Sequence, residues 1–225
     1  MASLNPPNAR AGHKAVWTGT EMIVWGGLNY PAYDLSGGRY DPATDVWTPT
    51  SMEDAPSLRW LHNAVWTGTE MIVQGGAPGA EAGGRYRPAT DTWLPTNPVN
   101  SATNGQGLTG VWTGTEMIIW GGSGDIPIFR SDGSRYNPAT DQWRRTSTMN
   151  VPLARGLHAA VWTGSEMMVW GGYIWGGNTN TGGLYTPATD SWKLTSVVGA
   201  PRGRQNAEVV WTGSESIFWG GWPEE

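Results

Sequence analysis

Residues 15–27 read AVWTGTEMIVWGG. Close copies stand at 64–76 (AVWTGTEMIVQGG), 110–122 (GVWTGTEMIIWGG), 160–172 (AVWTGSEMMVWGG) and 209–221 (VVWTGSESIFWGG). The tryptophans of the shared VWTG string, Trp17, Trp66, Trp112, Trp162 and Trp211, are 49, 46, 50 and 49 residues apart. Self-similarity at a period of 20–50 residues marks an array of small units that stack on one another. Inside each copy, two short β-branched and aromatic stretches flank a Thr-Gly-Thr/Ser-Glu turn too short for anything but a tight hairpin. A variable loop follows the Gly-Gly pair. Then come Arg-Tyr or Leu-Tyr, a Pro-Ala-Thr-Asp turn, one residue and Trp.

This order predicts four strands per repeat: A (residues 14–18), B (22–25), C (38–41) and D (46–49), with equivalents later. In the C–D turn, Pro42 supplies the φ a type I turn needs, and Asp45 can bond the turn backbone. No stretch sustains helical periodicity over 11 residues, so the expected class is all-β. The repeats run over about 10–58, 59–104, 105–154, 155–203 and 204–225 of a single 225-residue domain. The last has strands A and B only.

Composition narrows the function classes. Glycine (33) and proline (16) make the chain turn-rich, yet together they stay below the ~25–30% of low-complexity sequences. The net charge is −5, and Lys14 and Lys193 are the only lysines. Nucleic-acid partners need a basic stripe, and anionic membranes need a basic cluster; neither partner is expected. The longest apolar runs, such as Met167–Trp170, are four residues, against ~20 for a membrane span. No basic-then-apolar secretion signal opens the chain, and nothing sets its compartment. With no cysteine, disulfides, thiolate nucleophiles and zinc–thiolate sites are excluded.

A four-stranded sheet of about 45 residues cannot bury both faces alone; stacking around an axis does so, as in β-propellers. Tryptophan usage agrees: 16 Trp against 2 Phe, with 13 of the Trp in repeat positions. These lie in strand A (Trp17, Trp66, Trp112, Trp162, Trp211), strand B (Trp25, Trp120, Trp170, Trp219) and strand D (Trp47, Trp93, Trp143, Trp192). They are read as packing between repeats, with Trp66 and Trp162 expected to be buried. Gln74 breaks the strand-B pattern.

Gly-Gly, then Tyr, then six residues, then Trp resembles the kelch repeat. Gly26-Gly27…Tyr40…Trp47, Gly75-Gly76…Tyr86…Trp93, Gly121-Gly122…Tyr136…Trp143 and Gly171-Gly172…Tyr185…Trp192 all fit, covering nearly the whole chain. The resemblance implies a kelch-type β-propeller of about five blades, strand A innermost and strand D outermost: four complete blades plus a two-stranded fifth. It does not fix a function, since the family includes protein-binding adaptors, copper radical oxidases, an epimerase and specifier proteins. The N-terminal stretch does not resemble a C–D pair, so the usual completion of one terminus by the other is not visible. Either the fifth blade has two strands, or the chain is part of a longer or engineered one.

Residues copied from repeat to repeat are assigned to structure. His13, His62 and His158 stand four before the strand-A Trp; a three-His metal site is weighed against hydrogen bonding between repeats, and the latter is preferred. Arg10, Arg59, Arg155 and Arg204, seven before that Trp, are weighed as a ring around an anion and read in preference as braces for the loop entering strand A. Glu21, Glu70, Glu116, Glu166 and Glu215, and Asp45, Asp91, Asp141 and Asp190, belong to turns. Paired-carboxylate catalysis needs two unlike environments, not a symmetric set.

Function is sought in what the repeat leaves over. Antiparallel order puts the B–C and D–A loops at one end, and the off-repeat aromatics fall there. Tyr30, Tyr33, Phe129, Tyr173, Trp175 and Trp222 are in B–C loops, and Trp60 enters strand A of repeat 2. The same loops carry Asp34, Glu81, Asp125, Arg130 and Asp132. Aromatics with acceptors suit sugars, whose apolar faces stack on rings and whose hydroxyls meet carboxylates. They also suit a peptide or a cation. The expected function is therefore a non-enzymatic binding module for a small glycan or glycoconjugate ahead of a peptide, with no cofactor. The alternatives are a structural or engineered propeller scaffold, and a kelch-type lyase or epimerase without a Tyr–Cys cofactor. The open edge of repeat 5, with Ile217, Phe218 and Trp219, predicts self-association or completion by strands outside the chain.

Overall fold

The computed structural model describes residues 6–29, 32–33, 36–78, 82–101, 105–124 and 129–223. Among these there is no helix, and so none long and apolar enough to cross a membrane. Four four-stranded antiparallel sheets have the order A-B-C-D. Strand A is Lys14–Trp17, Asn63–Trp66, Thr109–Trp112 or Ala159–Trp162; strand B is Met22–Trp25, Met71–Gln74, Met117–Trp120 or Met167–Trp170. Strand C is Gly37–Asp41, Gly84–Arg87, Gly133–Asn137 or Gly182–Thr186; strand D is Val46–Pro49, Thr92–Pro95, Gln142–Arg145 or Ser191–Leu194. Repeat 5 contributes A (Glu208–Trp211) and B (Ser216–Trp219) as a two-stranded sheet. The chain divides into two compact bodies: Met1–Pro98 with repeats 1 and 2, and Val99–Glu225 with repeats 3 to 5.

The copied turns earn their copies. In the A–B turn of repeat 1, Thr18 N–H donates to the Glu21 carbonyl and Glu21 N–H to Thr18 Oγ1, both at 2.9 Å. The same pair of bonds closes the turns at Thr67, Thr113, Thr163 and Thr212. At the C–D turns, Asp45, Asp91, Asp141 and Asp190 sit in the left-handed region, φ 49–58°. The strand-C tyrosines hold them there: Tyr40, Tyr86, Tyr136 and Tyr185 donate to the Asp Oδ1 at 2.5–2.7 Å. Two of these carboxylates also reach the preceding repeat, accepting from Ser51 N–H in the first body and Ser147 N–H in the second.

Each body has its own apolar seam. In the first, Val16, Ile23 and Trp25 of repeat 1 pack against Met71, Val73, Tyr86 and Trp93 of repeat 2. In the second, Val111, Ile118 and Trp120 meet Met167, Val169, Tyr185 and Trp192 of repeat 4. Trp170 and Phe218 join repeats 4 and 5, their ring centroids 4.8 Å apart. The strand-B indoles Trp25 and Trp120 are fully buried. Each lies edge-on to the next repeat's histidine (His62, His158) and tilted on its strand-D indole (Trp93, Trp192). The first glycine of the Gly-Gly in these two repeats makes this possible: a Cβ on Gly26 or Gly121 would come within 2.7 Å of that histidine ring.

Main-chain clasps run beside the seams. Leu61 N–H donates to Gly12 O, Leu157 N–H to Gly107 O and Asn206 N–H to Leu157 O, at 2.8–2.9 Å. All five residues, each five before a strand-A Trp, are left-handed. Gly12 and Gly107 adopt that conformation freely, whereas Leu61 and Leu157 carry the strain of a β-carbon there.

The strand-A tryptophans depart from expectation. Trp17 is 54% exposed, and Trp66 and Trp162 are half-buried, packed on the flanks of their seams. Strand A ends at this residue, next to the A–B turn, so one side of the indole has no neighbouring strand to cover it. Trp25→Ala or Trp120→Ala is therefore expected to cost about 3–5 kcal/mol. Trp17→Ala should stay near ~1 kcal/mol, as exposed sites do. Urea melts of the variants check this order, and equal losses at Trp17 and Trp25 would refute it.

Candidate functional site

The B–C and D–A loops are built on the copied arginines. Arg59 and Arg155 are fully buried. Arg155 donates to the carbonyls of Leu153, Gly171 and Thr181 and to the Thr181 hydroxyl; Arg59 does the same for Ser57, Gly75 and Ala82. Burial lowers both guanidinium groups to about 10, still charged at neutral pH. Arg10 reaches Gly26 and Ser36 in the same way, and Arg204 reaches Gly220. Each arginine thus ties the entry of strand A to the stem of its own B–C loop.

On this frame the second body gathers several of the off-repeat residues. Phe129 and Tyr173 pack with ring centroids 5.7 Å apart, and Phe129 lies over Gly156. Tyr173 opens a hairpin, Tyr173–Ile174 paired with Gly177–Asn178, whose two-residue turn presents Trp175 at 78% exposure. Asn178 Nδ2 donates to the Trp222 carbonyl at 2.8 Å. Trp222, 71% exposed, belongs to a ribbon pairing Arg204–Gln205 with Trp222–Pro223. Phe129, Tyr173, Trp175 and Trp222 therefore stand at the same loop end of this body.

Asp132 is not an open acceptor. Arg130 holds it with two hydrogen bonds, 2.9 and 2.7 Å, and Arg145 Nη1 adds a third at 3.0 Å. Two guanidinium groups on one carboxylate leave a net positive charge beside the Phe129–Tyr173 pair. Arg145 is a residue the repeat subtraction missed. The signal was present, since the equivalent positions hold Pro49, Pro95 and Leu194.

In the first body, Trp60 is half-buried. Its main chain bridges Ala77 through two bonds of 3.0–3.1 Å, and its Cβ packs close to Gly12. Tyr33 lies in a short ribbon opposite Leu28. Tyr30, Asp34, Glu81 and Asp125 fall outside the described residues. Open depressions of about 500 Å³ occur at the other end, among the A–B and C–D turns. One is lined by Trp17, Glu21 and Asp41, the other by Glu166, Leu184, Trp211 and Phe218.

The histidines do not converge. His62 and His158 are buried in separate seams, and His13 is exposed. Thr109 Oγ1 meets His158 Nε2 at 2.6 Å across the seam between repeats 3 and 4. Among the described residues, no three His, Asp or Glu side chains are grouped so as to hold a metal ion. The turn glutamates are engaged locally: Glu70 with Arg85 and Arg87, Glu116 with Arg135, Glu166 with Thr186.

No protein-family model matches the chain, and no curated protein shows significant similarity to it.

Burial, reinforced by Arg59 and Lys14 at His62 and by Arg155 at His158, lowers both imidazoles to about 3. Between that value and the ordinary ~6.5 the unfolded chain binds protons that the folded chain refuses. Stability is thus expected to fall as the pH drops from ~6.5 towards 3, by up to about 1.4 kcal/mol per pH unit for each histidine. Repeat 3 holds Leu108 at the equivalent position, so His158→Leu should flatten this acid limb in denaturant melts between pH 7 and 4. An unchanged slope would show that His158 does not titrate on unfolding.

Proposed function

We propose that the repeats are blades of a kelch-type β-propeller, and that the B–C/D–A loop end of repeats 3 to 5 binds a carbohydrate or glycoconjugate. The A–B and C–D turns are spent on structure, while the opposite loops carry large side chains that the packing does not require. The observation that carries the reading is the set of exposed rings at that end. Trp175 and Trp222 are 78% and 71% exposed, held by paired backbone rather than by a core. Indole and phenol faces of this kind stack on the apolar faces of sugars. The Arg130–Asp132–Arg145 cluster adds donors and a net positive charge. Because Asp132 is already neutralised, an acidic sugar suits this end better than a neutral one or a cation.

A glycan array on the purified chain, followed by titration calorimetry with the best hit, tests the proposal. Trp175→Ala and Trp222→Ala should each weaken binding roughly tenfold or more, about 1.4 kcal/mol, with denaturant midpoints unchanged. Arg145→Ala should weaken carboxylate-bearing glycans selectively. An array without hits, or full affinity in both tryptophan variants, would return the chain to the scaffold reading.

A further inference from the structure

Strand D is an outer strand in all four four-stranded sheets, so its outward main chain is an open edge in each. The register decides which residues point outward. Thr50, Thr96, Thr146 and Thr195, each just past strand D, donate inward to the carbonyls of Gly37, Gly83, Gly133 and Gly182. Inward and outward residues alternate along an antiparallel ladder. The residue before each threonine therefore turns its N–H and C=O away from the sheet, and so does the residue two places further back.

In repeats 1 and 2 the residue before the threonine is a proline, Pro49 or Pro95. Proline has no N–H to offer a further strand and is a common guard of sheet edges. In repeat 3 it is Arg145, drawn onto Asp132. In repeat 4 it is Leu194, 58% exposed. Among the described residues, neither Trp192 nor Leu194 makes a main-chain bond beyond its own sheet. Repeat 4 thus keeps the outward donor that repeats 1 and 2 lack, beside an aliphatic side chain. This exposure belongs to the position: Pro49, Pro95 and Arg145 are exposed too, and Arg144 is exposed like Lys193 although the sheet of repeat 4 is complete.

We propose that the strand-D edge of repeat 4 takes up an extended acidic peptide of another protein as a fifth strand. Charge selects the occupant. Lys193, between the two outward residues, is one of only two lysines in the chain, and repeats 1 and 2 have Thr48 and Leu94 in its place. Repeat 3 has Arg144 there, and among the described residues neither cation is in an ion pair. A second copy pairing through this edge, with Trp192 opposite Leu194, sets Lys193 against Lys193, and like charges directly opposite are unfavourable. A peptide with a carboxylate opposite Lys193 gains at that point instead. Its main chain meets the N–H and C=O groups of Trp192 and Leu194, as in other cases of strand addition.

Fluorescence anisotropy on the full chain tests the proposal, with a labelled heptapeptide alternating valine and glutamate and its counterpart carrying lysine for glutamate. The acidic peptide should bind saturably, and the basic one about tenfold more weakly or worse. Leu194→Pro copies repeats 1 and 2, so the sheet accommodates it, and melts confirm folding. It removes the outward donor and should weaken the acidic peptide about tenfold or more. Lys193→Glu should reverse the preference between the peptides. An acidic peptide that does not bind, that binds Leu194→Pro as well as wild type, or that stays preferred by Lys193→Glu would overturn the proposal. So would sedimentation in which wild type pairs with itself and Leu194→Pro does not, since the edge would then serve a second copy.

Discussion

The strand-B indole wedged between one sheet and the next is the contact on which the other features depend. Trp25 and Trp120 each fill the space bounded by their own sheet, the following histidine and the following strand-D indole. A ring of that size brings a large apolar area out of water and fixes the spacing of two sheets at once. The first glycine of the pair in repeats 1 and 3, Gly26 and Gly121, follows from it, because the histidine ring needs the room. So do the neutral state of His62 and His158 and the low tolerance of those positions for acid. A single sheet of four short strands has no interior of its own, so the stability of each repeat is largely that of its seams.

Most of the regular structure was legible because it was written several times. Strands B and D begin and end where turn residues and aromatic spacing put them; strand A stops at Trp17 rather than Thr18, and strand C starts one residue earlier. Repetition misled in one respect. Five copies of a strand-A tryptophan look like a core position, yet Trp17 is more than half exposed. A copied residue reports that every repeat meets the same surroundings, and those surroundings at the end of strand A include solvent.

The loop end was legible only in part. Subtracting the repeat identified Phe129, Tyr173, Trp175 and Trp222, since an aromatic without a counterpart in other repeats needs no alignment to be noticed. It did not reveal that Arg130 and Arg145 converge on Asp132. That contact joins a loop to the end of strand D, and no local spacing rule encodes such a pairing. The same holds for Asn178 and Trp222, which come together through a hairpin absent from the repeat pattern.

The pair of positions three and four before each strand-A tryptophan varies while its surroundings are copied. Lys14 is followed in the next repeat by His62, Thr109 by His158, and Ala159 by Ala207. In a protein whose hairpins are nearly interchangeable, such variation works as an address. A hairpin of repeat 3 that settled against the wrong neighbour would keep the indole contact but lose the bond between Thr109 and His158. Discrimination between near-identical surfaces comes from the cost of the mismatch as much as from the gain of the match. At this seam the match is set by one hydroxyl and one imidazole at the start of strand A, leaving the large aromatics free to be the same everywhere.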